Sequence, residues 1–237
     1  MKSWNYQPAK DLDLKPVERA RSLKRESGIW STCGHVTWHT LIRLYVKSYH
    51  RLSVEGRENL PLAPPFVMIA NHTSHLDTMI LGSTLSCKWC DQVFPVAAGD
   101  VFFESSLKSV FSAQLINALP MWRKHCGPHA LADLKDRLIP EPCGYILFPE
   151  GGRSRDGALL PFKPGLGMIV AGTTVSVIPC AIVGAACALS ADSRWPRPWK
   201  VHLKIGPALH FETLANNRAG WEQVSRETED AVRRLMN

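Results

Sequence analysis

Phe66-Val-Met-Ile-Ala-Asn-His-Thr-Ser-His-Leu-Asp77 is the stretch that decides the fold. Its five leading apolar residues, with no polar alternation, fit a strand covered on both faces. A polar loop follows at once, and from His75 to Leu85 the pattern reads as a helix. A buried strand feeding through a polar loop into a helix opens a β–α unit. The same alternation continues outward along the chain. Val93 to Ala97 reads as a strand, Glu104 to Asn117 as a helix and Ala118 to Trp122 as a further strand. Pro128 to Leu138 reads as a helix, with Pro suited to its first turn. Tyr145-Ile-Leu-Phe148 is a buried strand, Gly165 to Ala171 a helix, Ser176 to Val183 a strand and Lys200 to Ile205 a half-exposed strand. Trp221 to Met236 closes the chain as an amphipathic helix, with Val224, Ala231, Val232 and Leu235 inward. The sum is an α/β fold: a mixed, largely parallel sheet flanked by helices.

The 237 residues are 45 % hydrophobic and 21 % charged, enough apolar material for a substantial core. No internal repeat or low-complexity tract interrupts them. Residues 168–190 carry no charged residue and are long enough to cross a bilayer. Their moderate hydropathy and the central Pro179 instead fit a buried helix running into a buried strand.

The basic excess is uneven. Residues 1–60 hold eleven Lys and Arg against six Asp and Glu, most of the net +7. Residues 1–27 read as a polar arm or short helices outside the core. Residues 30–50 read as an amphipathic helix, with Trp38, Leu41, Ile42, Tyr45 and Tyr49 on one stripe. Trp and Tyr beside Lys and Arg suit a membrane surface. A stripe packed on the core is the alternative. The division expected is therefore residues 1–50 as a basic arm with a membrane-contacting helix and residues 51–237 as the catalytic domain. The start of the chain lacks the apolar run of a secretory signal, and seven Cys is an odd number. Both point to a reducing, cytoplasmic setting.

Two loops carry chemistry. Asn71 to Asp77 follows a strand, and ligands collect at the carboxyl ends of strands in open α/β sheets. A carboxylate at Asp77 can accept the Nδ1 proton of His72 and leave Nε2 to take a proton, which is what a general base needs. Equally, Asp77 and Ser74 could simply cap the helix, with His72 a polar loop residue. A metal at His72, His75 and Asp77 lacks a third histidine. The second loop is Phe148-Pro-Glu-Gly-Gly-Arg-Ser-Arg-Asp-Gly157. Its glycines allow close approach to a ligand, and arginine suits phosphate. An ordinary solvated turn is the alternative. Cys87-Lys-Trp-Cys90 with Cys126-Gly-Pro-His129 has a spacing that zinc could use, but the two halves are far apart in sequence.

Together, His-x4-Asp and Phe-Pro-Glu-Gly-x-Arg-Ser resemble the glycerolipid acyltransferase family, the family of the lysophosphatidic acid acyltransferases. The resemblance covers roughly residues 50–210, and Val177-Ile-Pro179 resembles a further block of that family. It implies that His72 and Asp77 are a catalytic dyad and that Glu150, Gly151, Arg153 and Ser154 serve the acceptor site. Arg123 is what remains of a Gly-x-x-Phe-x-x-Arg block, with Asn117 and Pro120 in the other two places. Gly152 stands where the family usually has Thr. The resemblance further implies acyl-CoA or an acyl carrier protein as donor, a lyso-phospholipid as acceptor (lysophosphatidate first), no cofactor and no metal. The chain is expected on the cytoplasmic side of a membrane, bound peripherally. No Ser or Cys is placed as a covalent nucleophile, and no motif supports nucleic-acid binding. A hydrolase using the same dyad and a non-enzymatic membrane module are the readings that compete.

Overall fold

A computed structural model describes residues 9–122, 128–190, 193 and 195–237, with side chains described outside 128–130. Among the described residues, seven strands form one sheet in the order β1-β7-β6-β2-β5-β3-β4. They are β1 (Ser53–Glu55), β2 (Phe66–Ala70), β3 (Val93–Ala98), β4 (Leu119–Met121), β5 (Gly144–Leu147), β6 (Ser176–Val183) and β7 (His202–Ile205). β6, β2, β5, β3 and β4 run parallel. β7 pairs antiparallel with β6 and carries β1 parallel to itself at the edge. The mixed, largely parallel sheet expected from the sequence is therefore present.

Period-two side-chain alternation sorts the core into two layers. In β2, Val67 and Ile69 join Tyr145, Leu134, Leu138, Leu166, Ile169, Val224 and Val232 on one face. Apart from Tyr145 of β5, those partners come from α6 (Pro128–Leu138), α7 (Gly165–Val170) and α9 (Arg218–Met236). Phe66, Met68 and Ala70 join Ile80, Leu81, Ile146, Ile178 and Val46 on the other face. There the cover is α3 (Leu76–Thr84) and α2 (Ile29–Ser48). All five β2 residues are buried, which is why this run shows no polar alternation.

The segment 168–190 is divided among α7, β6 and α8 (Ala185–Ala188). Among the described residues no helix is long and apolar enough to cross a membrane.

The N-terminal region differs from the arm expected. α1 (Pro16–Arg21) packs on α5 (Ser106–Gln114), which follows the short α4 (Gly99–Phe102). Asp11, Ala20 and Arg25 are buried. Arg25 donates to the carbonyl of Ala118 at 3.1 Å and to Asn117 Oδ1 at 2.8 Å. Burial, then the nearby Arg137, pushes its pKa down to about 10. Arg19 pairs with the buried Asp11 carboxylate at 2.7 Å. The charges that suggested a solvated arm are instead spent on tertiary contacts.

The stripe on α2 also divides. Ile42 and Tyr45 pack on the core beside buried Val46, while Leu41 and Leu44 face outward with Ile29 and Trp30. The helix is apolar on both sides, so periodicity alone could not choose the inward one.

Candidate active site

β2 and β5 are parallel neighbours, with Phe66 opposite Gly144 and Ile69 opposite Leu147. Their carboxyl ends therefore lie side by side, and the loops that leave them meet. Asn71 makes the transition out of β2. Its side-chain amide donates to Ile182 O at 3.0 Å and its Oδ1 accepts from Ile182 N at 2.8 Å. The side chain replaces one peptide unit of the pairing with β6, and the main chain is released to turn.

His72 follows. Its Nδ1 lies 2.9 Å from Asp77 Oδ2. The same oxygen accepts the backbone N–H groups of Thr73 at 2.7 Å and Ser74 at 2.8 Å. Asp77 is fully buried at the first turn of α3, and the imidazole is one-fifth exposed. Of the two readings of Asp77, the structure has the histidine partner and not the helix cap: its oxygen ties the loop that precedes α3, whose N-cap His75 makes no side-chain cap bond, while Ser74 Oγ accepts from Leu76 N at 3.1 Å. The Asp77 carboxylate fixes the proton of His72 on Nδ1 and leaves Nε2 as the basic nitrogen. The ring also stacks on Phe148, with centroids 4.0 Å apart and planes at 16°. Ser74 Oγ donates to Leu189 O at 2.7 Å, tying the loop to the segment after β6.

The Phe148–Asp156 loop joins this loop through the backbone of His72. His72 N donates to Glu150 Oε1 at 2.7 Å, and Ser154 N donates to His72 O at 2.8 Å. Glu150 Oε2 accepts from Leu160 N at 3.1 Å. Glu150 is buried, and burial raises its pKa against the opposing pull of those two N–H donors. Gly151 has φ +70°, the left-handed region that glycine enters without strain. A Cβ there would lie 2.6 Å from Lys163 Nζ, so the lysine ammonium sits over this turn. Ser154 Oγ donates to Asp156 Oδ1 at 2.8 Å, and that bond comes first among those that lower the Asp156 pKa.

The sequence profile of the acyltransferase family matches residues 51–183, more than half of the chain. The chain belongs to the acyltransferase family. It is 25 % identical over 179 residues to the mouse 1-acyl-sn-glycerol-3-phosphate acyltransferase alpha, covering 73 % of this chain and 61 % of that protein. To the chloroplastic 1-acyl-sn-glycerol-3-phosphate acyltransferase BAT2 of Brassica napus it is 31 % identical over 145 residues, covering 57 % of this chain and 38 % of that one. The chain thus spans less than two thirds of the length of either curated relative. In structure it is similar to the 1-acyl-sn-glycerophosphate acyltransferase PlsC from Thermotoga maritima, with a TM-score of 0.62 and 24 % identity over 86 % of this chain and 77 % of that one. That likeness shows the fold.

Within this acyltransferase fold the residues singled out in the sequence are not equivalent. His72, Asp77, Glu150 and Ser154 are joined in one hydrogen-bonded unit. Glu150, expected at the acceptor site, has both its oxygens accepting backbone N–H groups, so it braces the two loops. Ser154 is likewise buried and bonded within the loop. Gly151 is exposed and Arg153 half-buried. The Arg153 charge reaches His75 and, after burial, is the next cause that lowers that imidazole's pKa. His75 turns its ring edge-on to Phe102, with centroids 6.1 Å apart. Arg123 lies outside the described residues, as do Cys126 and the side chain of His129. Burial, with Asp91 and Cys87 beside it, pushes the Cys90 thiol up to about 12. Three contributors are not singled out by the sequence motifs: Phe148 as the stacking face, Asn71 as the strand surrogate, and Lys163. The run Phe162-Lys-Pro-Gly165, polar between a buried Phe and a helix, was the available clue to the last.

Proposed function

We propose that this acyltransferase moves a fatty acyl group from an acyl thioester to the hydroxyl of a lyso-phospholipid, 1-acyl-glycerol-3-phosphate above others. The observation that carries the reading is the His72–Asp77 pair, 2.9 Å long, at the carboxyl end of a central parallel strand. Nε2 of His72 takes the acceptor's hydroxyl proton as its oxygen attacks the thioester carbonyl. The tetrahedral intermediate collapses with cleavage of the C–S bond, and the proton passes to the departing thiolate. Phe148 on one ring face and Asp77 on Nδ1 hold the imidazole in place through both proton transfers.

Arg153 and Lys163 beside the Gly151 turn supply cations for the acceptor phosphate. The donor is acyl-CoA or an acyl carrier protein. The outward apolar side chains of α2 (Ile29, Trp30, Leu41 and Leu44) support peripheral attachment to a membrane, on its cytoplasmic side. Purified chain, one labelled acyl-CoA, the matching acyl carrier protein and a panel of lyso-lipids test the reading. Label appearing in phosphatidate, and disappearing with His72→Ala, is the expected result. Donor loss that ignores every acceptor would overturn it in favour of a hydrolase.

A further inference from the structure

The segment that follows α8 is Trp195-Pro-Arg-Pro-Trp199-Lys200, beyond the residues matched by the family profile. Between Ser193 and Lys204 the sequence has no Asp or Glu. Trp195 is 81 % exposed and Trp199 half-exposed, with Arg197 shown to solvent between them. Two large apolar rings held in water cost free energy unless something covers them.

The loop is not loose. Arg197 N donates to Ala188 O at 2.7 Å, and Tyr49 at the end of α2 donates from its hydroxyl to Pro196 O at 3.2 Å. Val201 N donates to His50 O at 3.1 Å, and Ser53 N donates to Val201 O at 3.0 Å. Gly184, at φ +90°, lets the carbonyl of Lys200 and the ring of Trp199 approach where a Cβ would stand only 2.5 Å from that oxygen. The loop therefore presents Trp195 outward at little further ordering cost.

Its surroundings have one character. Lys47 and Arg51, both exposed, flank the Tyr49 anchor, and Lys200 is exposed within the loop. On the other side, Leu189 at the root of the loop accepts the Ser74 hydroxyl of the dyad loop. Indole rings among cations match the headgroup region of an anionic bilayer, where the ring sits at the interface and the cation meets phosphate.

We propose that residues 195–200 form a second membrane contact, a preformed Trp–Arg wedge. It inserts into the interface of anionic bilayers and sets the mouth of the dyad loop against the lipid surface. Its place beside the site rests on the lipid-acceptor reading above; its binding to vesicles does not.

Co-sedimentation of the full chain with phosphatidylcholine vesicles, with and without phosphatidylglycerol, tests it. Trp195→Ala should weaken binding to the phosphatidylglycerol vesicles by ~10-fold, and Arg197→Gln by ~5-fold on those vesicles alone. Turnover on detergent-dispersed acceptor should stay within about twofold for both, since neither touches the dyad. As a second measurement, brominated acyl chains should quench the fluorescence of the parent chain more than that of Trp195→Phe. Unchanged binding and unchanged quenching in these variants would overturn the wedge. So would a Trp195→Ala effect on self-association in sedimentation velocity without one on vesicles. If vesicle binding responds as stated but the parent chain transfers no acyl group, the wedge stands and the functional reading fails.

Discussion

The two loops that make the site are built to different standards. In the dyad loop one carboxylate oxygen of Asp77 gathers His72 Nδ1 and two backbone N–H groups within 2.9 Å, with the carboxylate out of contact with water. The loop after β5 has its buried half, Glu150 and Ser154, bonded to the first loop, while Gly151 is exposed and Arg153 half-buried. A proton-transfer group must be held to a fraction of an ångström, so its supports are local, short and redundant. A headgroup site needs charge more than registration, and charge acts over several ångströms. The contrast teaches that the chemical step and acceptor preference answer to different residues.

Substitutions can break that comparison, the largest effect first. His72→Ala removes the base and should cost at least ~10²-fold in kcat, with the circular dichroism spectrum unchanged. Retention of full turnover in the purified variant would remove His72 from the mechanism. Asp77→Asn should cost ~10²-fold in kcat, because the amide oxygen can stand in for Oδ2 towards all three donors but brings no charge to balance a protonated imidazole. Unlike the first change it should also lower stability by ~1 kcal/mol, read from a urea melt, as three bonds to a carboxylate become bonds to a weaker amide oxygen. Glu150→Gln turns an NH2 towards one of two N–H donors, and should lower stability by ~1–2 kcal/mol while kcat falls. A change in KM alone would instead make Glu150 an acceptor contact. Arg153→Lys should raise KM for lysophosphatidate by ~10-fold with kcat within about twofold, because the forked pair to phosphate is lost but not all the charge. Smallest is Gly151→Ala, which places a side chain at φ +70° and should cost ~1 kcal/mol of stability with a modest rise in KM.

Much of this was legible before any coordinates. β2, β5 and β6 are central, so their residues are apolar on both faces and stand out as uninterrupted runs. The strand–loop–helix reading put His72 and Asp77 at the correct end of the sheet. What could not be read shares one cause: its partners are distant in sequence. β1 is a three-residue edge strand with no fully buried residue, so no pattern marks it. The helix expected from Glu104 to Asn117 is shorter. Ser105 caps its start through Lys108 N, and Asn117 leaves it at φ +54° to bond Cys90 O and Val93 O. Arg25 looks like a solvent-facing cation until Asn117 and Ala118 are seen around it. Glu150 is expected at the acceptor site through the family resemblance alone. Nothing within its own loop reveals that His72 N is waiting for it.

His72 donates its own N–H to one end of the second loop and offers its own carbonyl to the other. On the proposed reading the base is hung from the segment that would receive the acceptor, as a gauge is mounted on the part it measures. A headgroup that shifts Arg153 or the Gly151 turn moves the point from which Nε2 reaches out. Discrimination between acceptors then shows chiefly in affinity, and reaches turnover where a headgroup pulls the Glu150–Ser154 brace along with it.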